Sequence, residues 1–401
     1  MYLTLIFWAS VLLLFYVYVG YPLLIFLWAR LKPRPARSSP VRPSLSILVV
    51  AFNEGHRMGR RLENLLSLEY PADKVEVLVG SDGSTDGSAA MARGFRHPRL
   101  RFFAFPQRRG KAAVLNDLVG HARGEILVMA DARQRFAANA LSRLVRHFAD
   151  PEVGAVSGEL VLSSNAAGTA VGEGVGFYWR YEKLIRSSES LADSSVGATG
   201  AIYAIRKDLF RPLPDDTILD DVLVPMRIVR RGYRVLFDPD ARAYDRAAST
   251  SAEEFTRKVR TIAGNFQLLT REPWLLDPSR NRLWFQTLSH KGLRLLGPAL
   301  LASALLANLL IGGSPLYRAT LAAQGLFYLA ALGGWAMRDA RRRIPPLTVP
   351  YTVCLMNWAT VVALLRFATG RQRAAWETAS PARALLPAGA TTSRAGSRRT
   401  A

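Results

Sequence analysis

One uncharged run near the start constrains this chain most. Tyr2–Ala29 spans 28 residues without a charged side chain, and a bilayer-crossing helix needs only about 20 apolar residues. A secretory leader would carry its basic residues before a shorter apolar core. Here they follow the run, at Arg30, Lys32, Arg34, Arg37 and Arg42. We therefore predict an uncleaved transmembrane helix in residues 1–30, with the next domain in the cytoplasm.

The C-terminal part repeats this apolar character. It contains three uncharged stretches, at Leu295–Tyr317, Ala319–Met337 and Ile344–Leu365. We predict a transmembrane region in residues 295–368 with two or three spans, followed by a basic, disordered tail in residues 369–401. Four spans in total would place the seven arginines from Arg366 onward outside, against the positive-inside rule. Either the last stretch is re-entrant or the tail tolerates that side.

The chain is strongly basic, with a net charge of +22. Nucleic acid is one partner for such a charge, but the arginine clusters lie beside apolar segments. That placement favours anionic membrane lipids as partners and no nucleic acid. The single cysteine, Cys354, excludes an internal disulfide.

Between the apolar ends, short apolar runs alternate with helical patterns. The predicted strands are Leu45–Ala51, Val75–Val79, Leu100–Ala104, Glu125–Ala130, Val153–Ser157, Ala201–Ile205 and Arg234–Phe237. The predicted helices are Met58–Ser67, Asp86–Gly94, Lys111–Ala122, Asn139–Phe148, Gly176–Glu189, Asp221–Arg231 and Ala252–Leu269, the last being amphipathic. This alternation predicts an α/β domain in residues 43–270, built on a mostly parallel sheet covered on both faces, and an interfacial linker in residues 271–294.

Polar residues follow three of the predicted strands. Asn53 and Glu54 follow the first, Asp82 the second and Asp131 the fourth. Such ends converge on one crevice in an open α/β sheet. Asp82 can accept hydrogen bonds from a base or ribose, and Asp131 can bind Mg²⁺ or Mn²⁺. The alternative is that all of them are solvated turn residues.

Two further motifs begin helices. Gln107-Arg-Arg-Gly-Lys111 places cations at a helix N-terminus, where a bound phosphate would relieve the conflict with the helix dipole. Asp220 and Asp221 begin another helix. One acid suffices as a cap, and the other can be a general base whose pKa its neighbour raises. Arg257 and Arg260 share a helix face and can contact either a diphosphate or lipid headgroups.

At these residues the chain resembles the membrane-bound family 2 glycosyltransferases with a GT-A fold, in the branch of the cellulose, hyaluronan and poly-N-acetylglucosamine synthases. The resemblance runs from about Leu45 to Gln267, with the motifs in the family's order. It implies a Rossmann-like GT-A domain with flanking transmembrane helices. It also implies an inverting transfer from a nucleotide-sugar, a UDP-sugar, to a glycan or lipid acceptor.

The resemblance assigns roles by position. Nucleotide-sugar binding falls to Ala51, Asn53, Glu54, Asp82 and Lys111, and the metal site to Asp131, the first Asp of an Asp-x-Asp motif. Asp221 matches the general base, with Asp220 beside it. Gly200 falls in the acceptor region, and Arg257 and Arg260 align with the Gln-x-x-Arg-Trp motif.

The chain departs from the family pattern at two positions. Arg133 replaces the second Asp of Asp-x-Asp. Either Asp131 alone still holds a metal through substrate phosphates, or Arg133 takes over part of the metal's charge on the diphosphate. Thr261 replaces the Trp of Gln-x-x-Arg-Trp, which weakens the case for polymer synthesis.

We predict a multi-pass enzyme of the cell inner membrane for polysaccharide or glycolipid synthesis. One alternative is a single transfer to a lipid, and another is a non-catalytic subunit that keeps the fold.

Overall fold

The computed structural model describes residues 1–88, 94–163, 170–246, 251–337 and 344–372. Its central sheet has eight strands in the described chain: β1 (Leu45–Ala51), β2 (Val75–Asp82), β3 (Leu100–Phe105), β4 (Ile126–Asp131), β5 (Arg135–Phe136), β6 (Val153–Ser163), β7 (Ile202–Arg206) and β8 (Arg234–Arg246). Their spatial order is β3-β2-β1-β4-β7-β6-β8-β5. All seven predicted strands are confirmed. The two-residue β5 was not predicted.

The sheet is mixed rather than mostly parallel. β1 pairs in parallel with β2 and β4, and β2 pairs in parallel with β3. β7 runs antiparallel between β4 and β6, while β8 is parallel to β6 and β5 is antiparallel to β8. The parallel prediction therefore holds for one half only. Buried strands of either direction read as continuous apolar runs, so the sequence of β7 does not reveal its direction.

Successive residues of each strand point to opposite faces, and both faces are covered. On one face Leu48, Leu78 and Leu127 pack with the helices Lys111–His121 and Asp220–Arg230. On the other, Ile47, Val77 and Val128 pack with helices that include Gly55–Leu66 and Ala140–Val145. The crevice at the carboxyl ends of β1, β2 and β4 is thereby held between rigid layers.

The α-helices follow the predicted pattern, with ends that differ by a few residues. We label them α1 (Tyr2–Phe15), α2 (Tyr21–Leu31), α3 (Gly55–Leu66), α4 (Lys111–His121), α5 (Ala140–Val145), α6 (Ala170–Ala192), α7 (Asp220–Arg230), α8 (Ser251–Arg271), α9 (Trp284–Thr287), α10 (Gly297–Ile311), α11 (Pro315–Ala336) and α12 (Pro345–Ala368). The predicted helix Asp86–Gly94 falls largely on residues 89–93, which are outside the described residues.

Within the described residues, three helical segments are long and apolar enough to cross a membrane: Tyr2–Leu31, Trp284–Ile311 and Pro345–Ala368. The predicted stretch Ala319–Met337 forms α11, which packs against α12 without being one of these three. The last predicted stretch forms one continuous helix, α12, and α8 packs along it. Of the predicted tail, residues 373–401 lie outside the described residues.

A buried polar network joins α6 to the apolar segments. His290 contacts the carboxylate of Glu189 at 2.8 Å through Nδ1 and that of Glu182 at 3.0 Å through Nε2. Tyr21 donates its hydroxyl to Glu189 at 2.6 Å, and Arg294 donates to Glu182. Both carboxylates are almost fully buried, so these partners replace the water that they lack.

Candidate active site

The loops after β1 and β2 form one side of the crevice. Asn53 has a positive φ of 53° and joins the two loops, because its N–H donates to Ser84 and its side-chain oxygen accepts from Thr85. Glu54, which follows it, is nearly buried, and burial raises the pKa of its carboxyl. Ala51, the last residue of β1, is buried beneath them.

Asp86 closes this side of the crevice. Its carboxylate accepts the backbone N–H of Gly55 at 2.9 Å and that of Ser88 at 3.0 Å. Asp86 therefore links the start of α3 to the loop after β2.

Asp82 fixes the basic loop before α4. Its buried carboxylate accepts the backbone N–H of Arg109 at 2.6 Å and that of Gly110 at 3.0 Å. Gly83 permits this approach, because a Cβ there would lie 2.7 Å from the Arg108 nitrogen and its φ is +64°. In this structure Asp82 orders the loop, and its contact with a nucleotide base stays a prediction.

The three cations of that loop point in different directions. Arg108 lies over the Phe52 ring, 3.7 Å from its centroid, and Arg109 pairs with Asp117 at 2.8 Å. Lys111 instead turns into the crevice, where its ammonium is 3.2 Å from Asp131 and 3.1 Å from Asp220. Burial favours a lower pKa for Lys111, but the surrounding carboxylates raise its pKa well above the usual value.

Asp220 and Asp221 begin α7 and face the same crevice. Asp220 is buried against Lys111, with the hydroxyl of Tyr203 3.5 Å away. Asp221 accepts the backbone N–H of Gly200 at 3.0 Å. Burial, followed by the charge of Asp220, raises the pKa of Asp221 to about 6. This is the direction predicted for a general base.

Gly200 lies close to that base. A Cβ at Gly200 would be 2.9 Å from the Asp221 carboxylate, so any other residue here would have to displace the carboxylate. The segment is held from both sides, since Thr199 donates its N–H to Ser157 at 2.8 Å and receives a hydrogen bond from Arg186 at 2.6 Å. Arg186 on α6 was not predicted, because its contact depends on how α6 is placed.

Of the predicted arginines, Arg260 lies near the carboxylates of the crevice, whereas Arg257 and Arg133 lie near acids outside that cluster. Burial lowers the pKa of Arg260, and the nearby charges of Asp220, Asp221 and Asp131 oppose that change, so Arg260 acts on the crevice. Arg257 pairs with Glu253 one turn earlier on α8. Arg133 lies 3.9 Å from Asp245 on β8.

Gln267 on α8 also supports the site and was not predicted. It accepts the N–H of Ile218 at 3.0 Å and donates to the Asp216 carbonyl at 2.9 Å, which holds the loop before Asp220.

The residues around Asp131 do not fit a divalent metal well. One oxygen of Asp131 is ion-paired with Lys111. The second acidic position of the Asp-x-Asp motif is occupied by the cation Arg133. No group of three or more His, Cys, Asp or Glu side chains placed to hold a metal occurs in the described part of the chain. Mg²⁺ or Mn²⁺ at Asp131 stays a prediction.

The domain that contains this crevice is similar to known proteins. The model of glycosyl transferase family 2 matches residues 46–211, which include β1, β2, β4 and Gly200. The chain carries a family 2 glycosyltransferase domain. This match, the GT-A-like sheet and the similarity to polysaccharide synthases confirm the family resemblance expected from the motifs.

The curated relatives are polysaccharide synthases. The chain is 25% identical over 235 residues to a poly-beta-1,6-N-acetyl-D-glucosamine synthase of Staphylococcus epidermidis, covering 57% of this chain and 56% of that protein. It is 24% identical over 236 residues to the Staphylococcus aureus synthase, with the same coverage. The match thus spans little more than half the length of these relatives.

A solved structure matches most of the fold. It is a mannosyltransferase from Pyrobaculum calidifontis in complex with GDP-mannose and Mn²⁺, with a TM-score of 0.70 and 25% identity. The alignment covers 91% of this chain and 99% of that one. That structure contains Mn²⁺, whereas the donor set around Asp131 in this chain fits a divalent metal poorly.

Proposed function

We propose that this glycosyltransferase inverts the anomeric centre while moving a sugar from a UDP-sugar to a hydroxyl of a glycan or lipid at the membrane. The observation that carries the proposal is the Asp221 carboxylate. It is fixed by the Gly200 N–H at 3.0 Å, and its pKa is raised to about 6. A carboxylate with such a pKa is ionised at neutral pH and remains a competent proton acceptor.

The proposed reaction is a single displacement. The acceptor oxygen forms a bond to C1 of the sugar as the bond from C1 to the diphosphate oxygen breaks. The electron pair of that bond leaves with the nucleoside diphosphate, and the acceptor proton passes to Asp221.

The other chain groups bind and orient in this proposal. Asn53, Glu54 and Asp82 line the nucleotide side of the crevice, while Lys111, Arg133 and Arg260 face the diphosphate. The segment around Gly200 holds the acceptor hydroxyl near Asp221. Preorganised cations of this kind stabilise the charge that develops on a leaving group.

We further propose an inner-membrane location with the catalytic domain in the cytoplasm. The support is the three apolar helices, the basic residues that follow Tyr2–Leu31 and the synthases among the relatives. In this arrangement the nucleotide-sugar comes from the cytoplasm and the acceptor from the membrane surface. Thr261 donates to the Arg257 carbonyl and offers no ring for a sugar, which leaves a single transfer to lipid as the alternative to a polymer.

The test is transfer of radiolabelled sugar by membranes containing the full-length protein, across a panel of UDP-sugars and GDP-mannose. Asp221→Asn should lower transfer from the preferred donor by about 10²- to 10⁴-fold, the usual contribution of a general base. Asp73→Asn is the matched control, because Asp73 is exposed at the opposite, amino end of β2. It should leave transfer unchanged.

The outcome separates the proposed classes. A large product indicates a polymer, and a small, organic-extractable product indicates a glycolipid. If no donor supports transfer by a folded protein, the alternative of a non-catalytic subunit that keeps the fold replaces the proposal.

A further inference from the structure

We propose that Lys111 and Arg133 act as fixed cations on the leaving diphosphate, in place of a divalent metal ion. This inference rests on the proposed function, because it concerns the same donor and the same crevice. The chain itself would supply the positive charge that a metal ion otherwise provides. Lys111 at the start of α4 and Arg133 just after β4 hold that charge at fixed positions.

The first observation is the placement of Lys111. Its ammonium is 3.2 Å from Asp131 and 3.1 Å from Asp220, and its side chain is 13% exposed. An ammonium paired with this Asp131 oxygen competes with a metal ion for it. Because Gly110 is anchored by Asp82 through a 3.0 Å hydrogen bond, Lys111 is presented by a fixed backbone.

The second observation is the replacement at residue 133. An Asp would provide a second carboxylate to a metal, whereas Arg133 provides a planar fork of N–H donors that suits phosphate oxygens. Its charge acts on Glu54 at the end of β1, and its guanidinium is 3.9 Å from Asp245 on β8. Arg133 thus lies on the nucleotide side of the crevice, where the diphosphate is expected.

The third observation is the balance of charge around Asp131. A divalent ion is drawn to carboxylates whose charge is not compensated. Here Lys111 pairs directly with Asp131, and the charge of Arg260 also acts on it. These cations therefore reduce the attraction that Asp131 would exert on a metal ion.

The proposed step balances with the substrates, Asp221 and these two cations. As the C1–O bond breaks, its electron pair adds negative charge to the departing phosphate, and the acceptor proton goes to Asp221. Lys111 and Arg133 meet that charge by hydrogen bonding and undergo no change themselves. No oxidant, reductant or second co-reactant is needed.

The experiment measures UDP and GDP binding to the detergent-purified full-length protein by calorimetry, in EDTA and in Mn²⁺. We expect the preferred nucleotide to bind wild type with affinities that agree within about twofold in the two buffers. Arg133→Asp removes a cation and restores the Asp-x-Asp motif. We expect this variant to bind the nucleotide at least about tenfold more weakly than wild type in EDTA, a loss of about 1.4 kcal/mol, and to recover in Mn²⁺. Transfer, where a donor is known, should follow the same pattern.

Two further sets of variants control the interpretation. Arg135→Asp makes the same charge change at an exposed residue two positions later, and should behave as wild type in both buffers. Lys111→Met should weaken nucleotide binding at least about tenfold in EDTA, whereas Lys111→Arg should retain most of it. Thermal melting establishes which variants are folded, and if Lys111→Met is not, the Arg133 comparison decides.

The failures of the two proposals are distinguishable. Wild-type binding or transfer that needs Mn²⁺, by tenfold or more, overturns the fixed-cation inference and leaves the glycosyl transfer intact. Equal behaviour of Arg133→Asp and wild type in EDTA also overturns it. A folded wild type that binds GDP but not UDP overturns the proposed UDP-sugar donor and leaves the fixed-cation inference intact. One that binds neither nucleotide in either buffer overturns the proposed function, and the inference with it.

Discussion

Gly200→Ala tests whether the position of Asp221 governs turnover. The added Cβ would lie 2.9 Å from the Asp221 carboxylate oxygen, closer than ordinary contacts allow. The same oxygen accepts the Gly200 N–H at 3.0 Å. The backbone of Gly200 is not in the left-handed region, so the contact alone causes the change. Since the clashing atom ends a side chain, the carboxylate should move while the fold persists.

The expected magnitude follows from that movement. Separation to a normal contact of about 3.4 Å displaces the oxygen by roughly half an ångström, and a displacement of about 1 Å can cost on the order of 10²-fold in rate. We expect kcat to fall by about 10-fold with the nucleotide-sugar KM nearly unchanged. Weakening the Gly200 hydrogen bond to the ionised carboxylate also moves the acidic limb of the pH profile upward.

The assay is steady-state transfer with thermal melting of the same preparations. Gly59→Ala is the matched control, because Gly59 lies within α3 with open space around its Cβ position. It should keep wild-type kcat and gain about 0.5–1 kcal/mol of stability. Wild-type kcat in a folded Gly200→Ala protein would refute the reasoning.

Three other predictions concern the carboxylates. With the pKa of Asp221 raised to about 6, kcat/KM should rise as pH increases through about 6, because the base acts when ionised. Asp220→Asn removes a neighbouring negative charge and should move that limb to lower pH; a profile without an acidic limb between pH 5 and 7 contradicts this. Asp82→Asn should lower the free energy of unfolding by about 1–3 kcal/mol, measured by denaturation, because its NH₂ group would replace one of the two carboxylate oxygens that accept the N–H groups of Arg109 and Gly110. Unchanged stability would show that the loop is held by other contacts.

The sequence predicts the strands that carry the site because their signals are local. The apolar runs of β1, β2 and β4 and the polar residues after them place Asn53, Asp82 and Asp131 at one edge. Strand direction is not encoded in this way, which is why the antiparallel β7 was not foreseen. β5, with two residues, is too short to leave a pattern.

The contacts between motifs were also beyond the sequence. Lys111 was expected near the nucleotide, but its ion pairs with Asp131 and Asp220 depend on how α4 and α7 cover the sheet. Likewise the role of Asp82 in ordering the basic loop follows from a backbone approach that a linear pattern cannot show. The site was predicted as a set of residues, and the structure supplies their distances.

The buried network between α6 and the apolar segments has a practical consequence for expression. Removing the segments that carry Tyr21 and His290 would leave Glu189 without the partners that contact it at 2.6 and 2.8 Å. Their loss would also uncover the apolar side chains of Ile185 and Ala192, which pack with Tyr21 and Ile25. Exposed apolar patches promote association between molecules. A version trimmed to residues 43–270 for crystallisation should therefore aggregate.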